Sequence, residues 1–217
     1  MPEDRLRHDE LSDPELPVVL RIAGWHCLVV GGGGVAARRA ATLLDAGAVV
    51  TLVATEPGPD VRAITAPDLV VVVRPYRDGD AAGFRLVVAA TGDPVVDRQV
   101  VEEAESLGAL SSGADRSTAA GLGFPAVWRS GSVTVAVSTE GRSPALARWL
   151  RTRLHRALPN ELTRLVELSE EARTLLAASG RPTGSLLWDP FLDQMAELLE
   201  AGQEHGAETL VIDATRR

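Results

Sequence analysis

The 217-residue sequence contains no lysine, so all 22 of its basic residues are arginine. The absence of lysine excludes Schiff-base chemistry on a lysine amine. With 30 acidic residues, the formal net charge is −8 at pH 7. A charge of this sign argues against a general nucleic-acid-binding protein. We therefore expect no nucleic acid among the partners of the chain.

Cysteine and histidine are also scarce. The single cysteine, Cys27, has no disulfide partner in the chain, and we interpret its thiol as a small buried hydrophobic group. The four histidines are scattered, and neither a CxxC nor an HxxxH pair occurs. Because metal sites need clustered ligands at short, regular spacings, the sequence predicts no metal site.

Long apolar runs are missing as well. No segment approaches the ~20 apolar residues that a membrane-spanning helix requires. The polar, acidic N-terminal segment has no signal-peptide core, and we expect residues 1–15 to form a disordered leader. These absences predict a cytoplasmic protein that does not associate with membranes.

The most informative stretch runs from Trp25 to Ala54. It contains an apolar run, four consecutive glycines at 31–34, a helical pattern and a second β-branched run. This order predicts a strand, a glycine turn, a helix and a second strand. Gly31, Gly33 and Ala36 occupy the three fixed positions of the G-x-G-x-x-G/A dinucleotide-binding fingerprint. The alternative is an α/β turn that binds no phosphate.

The glycine turn has a physical use for a dinucleotide. Gly31 permits the tight turn after the strand, and Gly33 lets a pyrophosphate approach the backbone closely. The N–H groups at the start of the helix complete the anion site. Thr55 and Glu56 follow the second strand, where an acidic residue usually holds the ribose hydroxyls. Since no arginine stands there for a 2′-phosphate, we predict NAD as the cofactor rather than NADP.

The β–α alternation continues to about residue 112 and predicts a parallel, doubly wound sheet. The continuous β-branched run at 69–73 predicts a strand buried on both faces. The run at 86–91 predicts another strand, and Thr91 at its carboxyl end is a further candidate cofactor residue. Beyond it, the pattern predicts a strand at 133–138, a helix that begins after Ser143, and helices toward the C-terminus.

Five arginines lie between residues 142 and 156, a high density for an acidic protein. In the same segment Leu146, Leu150, Leu154 and Leu158 fall four residues apart and predict a buried stripe on a helix. Three interpretations of the arginines stay open: a solvated helix face, an anion site for a polycarboxylate, or a dimer interface.

Four ordered motifs together resemble a known family. They read GGGGVAARRAATLLDAGAVVTLVA, AATGDP, FPA and VAVSTEGRSPALARWLR. They are similar to the siroheme-synthase N-terminal module, a family of precorrin-2 dehydrogenases of which some are also sirohydrochlorin ferrochelatases. The resemblance implies an α/β fold with an NAD(P)-binding Rossmann domain at 16–124. It further implies a small α+β dimerisation region at 125–158, a C-terminal helical region at 159–217, and a homodimer.

The resemblance also implies site residues. The family's key aspartate corresponds to Asp115, ten residues before Pro125, and we expect it to act as the general base. The cofactor contacts of the family correspond to Gly34, Val35, Thr55 and Glu56.

The implied reaction is NAD-dependent oxidation of precorrin-2 to sirohydrochlorin, with insertion of ferrous iron into the product left open. Because this tetrapyrrole carries eight carboxylates, we expect Arg142, Ser143 and Arg148 to contact it. The alternative is an NAD-sensing regulatory module without catalysis.

Overall fold

The computed structural model describes residues 15–113 and 121–216. The chain forms two compact units, the first ending at Phe124 and the second beginning at Pro125. In chain order the first unit contains β1 (His26–Val30), α1 (Gly34–Asp45), β2 (Val49–Ala54), α2 (Pro59–Arg62), β3 (Leu69–Val73), β4 (Leu86–Ala89), α3 (Pro94–Ser106) and β5 (Leu110–Gly113).

The five strands of the first unit form one parallel sheet in the order β3-β2-β1-β4-β5. Its central strand, β1, pairs with β2 from His26 opposite Val49 to Val30 opposite Val53. The strand order reverses between β1 and β4, and open α/β sheets bind ligands outside the carboxyl ends of the strands at such a point. The prediction of a parallel, doubly wound sheet is confirmed.

Helices cover both faces of the central strands. Side chains of β1 alternate between the two faces, as the pleat of a strand requires. Cys27 and Val29 pack in the cluster that includes α1, while Leu28 and Val30 pack in the cluster that includes α3. Residues of α1 that lie in this core are small or of medium size: Ala36, Ala37, Ala40 and Leu43. Small side chains let the helix approach the sheet closely, which holds the glycine turn against the ends of the strands.

The prediction that residues 69–73 are buried on both faces is wrong. The segment is a strand, but β3 is the last strand of the sheet and pairs only with β2. Val70, Val71 and Val73 are 55%, 38% and 65% exposed. A β-branched run reports strand propensity and does not distinguish a central from an edge position.

The second unit contains a hairpin and four helices. Its elements are β6 (Ala126–Ser130), β7 (Val133–Val137), α4 (Pro144–Ala157), α5 (Leu162–Ala178), α6 (Trp188–Glu200) and α7 (Glu204–Arg216), with a 3₁₀ turn at Thr183–Ser185. The antiparallel strands β6 and β7 contact α4. Helices α5, α6 and α7 pack around their own core, which contains Leu168, Ala172, Met195 and Val211.

The predicted leucine stripe of α4 is only partly correct. Leu146 and Leu154 are 46% and 44% exposed, and Ala147 is the residue of α4 that is buried. A two-stranded hairpin is too narrow to cover a full helix face, so the leucines at the margins of the contact stay accessible. The strand β6 was also missed by the sequence patterns, whereas α7 lies in the predicted C-terminal helical region. Within the described ranges, no helix combines the length and apolarity needed to span a membrane.

Candidate active site

The glycine turn brings the ends of three strands together. Gly31 has a φ of +133°, which side chains strongly disfavour, and a Cβ on it would overlap the carbonyl oxygen of Ala90. Its N–H donates to the carbonyl oxygen of Val53 at 2.8 Å. A Cβ on Gly32 would overlap the carbonyl oxygen of Glu56. The first two glycines are therefore required for packing within the protein.

Gly33 serves a different purpose. A Cβ on Gly33 would meet no atom within 4 Å, so this glycine borders open space. Gly33 is the N-cap of α1 and has no side chain, so this residue makes no side-chain capping hydrogen bond to the helix. Its carbonyl accepts the N–H of Ala37 at 3.0 Å, so the N–H groups of Gly34, Val35 and Ala36 precede the first hydrogen bond of the helix.

These features fit a dinucleotide diphosphate. The first turn of α1 contains no acidic residue, so its free N–H groups and the positive end of the helix dipole can both act on an anion. Ala36 is fully buried and supplies the close packing expected at the third position of the fingerprint. Gly31, Gly33, Gly34, Val35 and Ala36 thus lie together at the carboxyl end of β1.

The loop after β2 reaches the same place. Thr55 and Glu56 are exposed residues that directly follow β2. The N–H of Gly58 donates to the carbonyl oxygen of Gly32 at 2.8 Å, which ties the loop to the glycine turn. Asp60 follows in the first turn of α2, and its Oδ2 lies 2.9 Å from the position that a Cβ on Gly34 would take.

Asp60 and its neighbour Arg38 were both missed by the sequence patterns. Nη1 of Arg38 lies 3.5 Å from the same Cβ position on Gly34. The usual position for a ribose-binding group is directly after β2. The fold instead brings Asp60 from α2 and Arg38 from α1, so the sequence distance from the end of β2 identifies neither residue. No arginine directly follows β2, but the fold brings Arg38 of α1 close to the glycine turn, and the choice of NAD over NADP stays a prediction.

Thr91 lies at the carboxyl end of β4, across the strand reversal from the loop after β2. Its N–H and its hydroxyl donate to Oδ1 of Asp97 at 2.9 and 2.7 Å. Asp97 is only 3% exposed, whereas Thr91 is exposed. The buried carboxylate therefore fixes the exposed turn that follows β4. Asp97 is a positioning residue that the sequence patterns missed, because an acid in the first turn of α3 is also a common way to complement the helix dipole.

Asp115 lies outside the described residues. The strand that precedes it, β5, pairs with β4 as far as Gly113 opposite Ala89. The chain therefore enters the segment that contains Asp115 at the same edge of the sheet as Thr91. The role predicted for Asp115 stays a prediction.

The predicted substrate contacts lie in the second unit, around the start of α4. Ser143 is the N-cap, and its Oγ accepts the N–H of Leu146 at 3.2 Å. The preceding turn is tight: Glu140 has a φ of +53°, and the N–H of Arg142 donates to the carbonyl oxygen of Thr139 at 2.8 Å. Arg142 and Arg148 are both exposed. The structure thus brings Arg142 and Ser143 together at one helix terminus, with Arg148 on the same helix.

Neither a reactive thiol nor a cluster of metal ligands occurs among the described residues. Cys27 is fully buried, and burial raises the pKa of its thiol to about 11. A thiol with such a pKa is protonated at neutral pH and is a poor nucleophile. Residues 15–113 and 121–216 contain no group of three or more His, Cys, Asp or Glu side chains that could hold a metal ion.

Comparison with known families agrees with the geometry of the first unit. Residues 18–126, about half of the chain, match the family model described as "Putative NAD(P)-binding". The chain belongs to this NAD(P)-binding family. Its cofactor class is accordingly a nicotinamide dinucleotide. A second family model, described as "Sirohaem biosynthesis protein central", matches residues 131–157. This range includes β7 and α4.

Curated relatives include siroheme synthases. The enzyme of Methylococcus capsulatus is 34% identical over 203 residues, which are 92% of this chain and 43% of the relative. That of Nitrosococcus oceani is 35% identical over 202 residues, which are 89% of this chain and 42% of the relative. The chain therefore spans less than half of the length of these relatives. The resemblance to the siroheme-synthase N-terminal module is confirmed.

A solved structure shares the fold. SirC, precorrin-2 dehydrogenase, superposes with a TM-score of 0.65 at 22% sequence identity, covering 93% of this chain and 99% of that one. The predicted fold class, a Rossmann domain followed by a small α+β region and helices, is confirmed.

Proposed function

We propose that the chain is an NAD-dependent precorrin-2 dehydrogenase that produces sirohydrochlorin for siroheme synthesis. The observation that carries this proposal is the uncapped N-terminus of α1 behind Gly33, at the strand reversal of a chain whose relatives are siroheme synthases. The assay described below also tests a second activity of the same site, insertion of ferrous iron into the product, with iron as substrate.

The reaction removes one hydride and one proton from precorrin-2. A bound nicotinamide supplies the hydride acceptor. The N–H groups of Gly34, Val35 and Ala36 would hold the diphosphate, with Thr55 and the backbone of Glu56 beside the adenosine end. Thr91, held by Asp97, would lie beside the nicotinamide end. Asp115 accepts the proton as general base, since it follows β5 beside β4.

A substrate with eight carboxylates needs local positive charge on a protein of net charge −8. We propose that Arg142 and Arg148 provide it, together with the N-terminal end of α4 at Ser143. Their exposure and their density in one segment support this role. Charge reversal at Arg148 should raise KM steeply and make it depend on salt. An unchanged KM would contradict the assignment.

We further propose that the chain functions as a homodimer through its second unit. Trp149 and Leu154 on α4 are 55% and 44% exposed, and Val127 on β6 is 36% exposed. Large apolar side chains that stay accessible can contribute to an interface.

The deciding experiment is an anaerobic spectral assay with precorrin-2 and NAD, run in parallel on the wild type and on Asp115→Ala. We expect sirohydrochlorin from the wild type only, while both proteins bind NAD equally. Ferrous iron added to the product then tests the chelatase activity, which Asp115→Ala should also lose if Asp115 receives the pyrrole protons. No oxidation by a wild type that binds NAD would favour a regulatory module without catalysis.

A further inference from the structure

We propose that Asp60 is the carboxylate that selects NAD over NADP, and that Arg38 beside it is a latent binding group for a 2′-phosphate. The inference rests on the proposed use of a nicotinamide dinucleotide at the glycine turn. The sequence favours Glu56 as the ribose-binding residue because Glu56 lies just after the end of β2. The fold points to Asp60 instead.

The geometry places both charges on one side of the anion site. The Oδ2 atom of Asp60 and Nη1 of Arg38 lie 2.9 and 3.5 Å from the Cβ position of Gly34, the first residue of α1. Arg38 stands four residues after Gly34, so it shares that face of the helix. Asp60 lies in the first turn of α2, six residues after β2 ends. In dinucleotide-binding sheets the acidic group that reads the adenosine ribose comes from the second strand.

The position of Asp60 is fixed by the backbone. The hydrogen bond from Gly58 to the carbonyl oxygen of Gly32 holds the start of α2 against the glycine turn. A Cβ on Gly58 would lie 2.8 Å from that same oxygen, so the contact needs glycine on this side too. The N–H of Arg62 closes α2 on the carbonyl oxygen of Gly58 at 3.0 Å. The carboxylate of Asp60 is therefore carried on a short, anchored turn.

Glu56 contributes to this contact with its backbone. Its carbonyl oxygen is the atom that a side chain on Gly32 would overlap. The residue is thus a part of the close packing between the loop and the glycine turn. Its exposed side chain is a suitable control because it carries the same charge and lies only four residues before Asp60.

The chemistry separates the two cofactors. Ribose hydroxyls donate hydrogen bonds, and a carboxylate accepts them in strong, charge-assisted bonds. A 2′-phosphate carries close to two negative charges at neutral pH, so the same carboxylate repels it. A guanidinium binds phosphate well. With Asp60 present, Arg38 faces a site that rejects the phosphate. With Asp60 neutralised, Arg38 becomes able to hold it.

The test measures dissociation constants of NAD and NADP by calorimetry on the full chain. It compares wild type, Asp60→Asn, Glu56→Gln and the double variant Asp60→Asn/Arg38→Ala. For the wild type we expect NAD to bind at least about tenfold more tightly than NADP, the scale of one lost hydrogen bond to a charged group. Asp60→Asn should weaken NAD about tenfold, strengthen NADP, and bring the two constants within about threefold. Glu56→Gln should retain the wild-type ratio. The double variant should lose the gain in NADP affinity.

The ratio of the two constants is the informative readout, because damage to the structure would weaken both cofactors in parallel. A wild-type ratio in Asp60→Asn overturns the inference, as does loss of discrimination in Glu56→Gln. A double variant that still gains NADP affinity overturns the role of Arg38. A folded wild type that binds neither cofactor overturns the proposed function together with this inference. Binding with an unaltered ratio in Asp60→Asn overturns the inference alone.

Discussion

The central sheet of the first unit and the helix α4 of the second unit bury their apolar residues to very different extents. In the first unit, Val29 and Val50 of the central strands are fully buried, because helices cover both faces of the sheet. In the second unit, α4 lies on a hairpin of only two strands, and Trp149 stays 55% exposed. A parallel sheet with helices on both faces is complete within one chain. A single helix on a hairpin leaves an apolar surface that another molecule can cover.

The largest effect should follow from a change at the centre of the complete unit. We expect Gly31→Ala to destabilise the protein by about 3 kcal/mol or more, because the new Cβ combines a disfavoured φ with an overlap on the carbonyl oxygen of Ala90. Urea denaturation followed by circular dichroism measures the change. Gly33→Ala is the matched control, since its Cβ meets no atom within 4 Å. It should keep the fold and weaken dinucleotide binding. Equal stability of the two variants would contradict this assignment of roles.

The second unit can be divided by the same logic into a buried and an exposed part. Leu168 of α5 is fully buried, whereas Leu146 of α4 is 46% exposed. We expect Leu168→Ala to lower the free energy of unfolding by about 2–5 kcal/mol. Leu146→Ala should lower it by less than about 1 kcal/mol when measured on the monomer. A loss at Leu146 as large as at Leu168 would show that α4 is better covered than its exposure indicates.

The exposed surface of α4 gives the next prediction. If it forms a homodimer interface, Trp149→Ser should raise the dimer dissociation constant at least about tenfold, because large aromatic residues dominate interface energies. Sedimentation equilibrium measures this constant. Val95→Ser in the first unit is the control, since Val95 is 74% exposed but lies on α3. A wild type that is monomeric at all concentrations would contradict the proposed dimer.

A smaller effect is expected at the turn after β4. Asp97→Ala removes the acceptor that holds the N–H and hydroxyl of Thr91. We expect NAD affinity to fall about threefold to tenfold, with a smaller loss in Asp97→Asn, whose amide oxygen can still accept. A double-mutant cycle with Thr91→Ala tests whether Asp97 acts through Thr91. If the losses of NAD affinity in the two single variants add up in the double variant, Asp97 does not act through Thr91.

The same contrast between the units explains what the sequence could predict. The glycine turn was predictable because three spaced positions and the order strand, turn, helix all report one local structure. The edge position of β3 and the exposed leucines of α4 depend on which neighbours are present, and periodicity does not contain that information. Asp60 and Asp97 were missed for a related reason. Each lies in the first turn of a helix, and the tertiary fold decides whether that turn meets the glycine turn, as for Asp60, or the turn after β4, as for Asp97. Domain bounds, site roles, the dimer and a cytoplasmic location stay predictions.

The last effect, which is confined to alkaline pH, concerns Cys27 in the central strand β1. Burial raises the pKa of its thiol from 9.0 to about 11. Between these values the unfolded chain has lost the thiol proton and the folded chain retains it, so stability should fall as the pH rises from about 9. The loss approaches about 2 kcal/mol near pH 11, since one pKa unit corresponds to about 1.4 kcal/mol.

Stability measured from pH 8 to 10 should therefore decline less steeply in Cys27→Ala than in the wild type. The methyl side chain leaves a cavity, which lowers stability at every pH, so the slope isolates the thiol. Parallel curves would mean that the thiol ionises without unfolding and that solvent reaches the central strand. That result would remove the contrast between buried central strands in the first unit and an exposed helix α4 in the second.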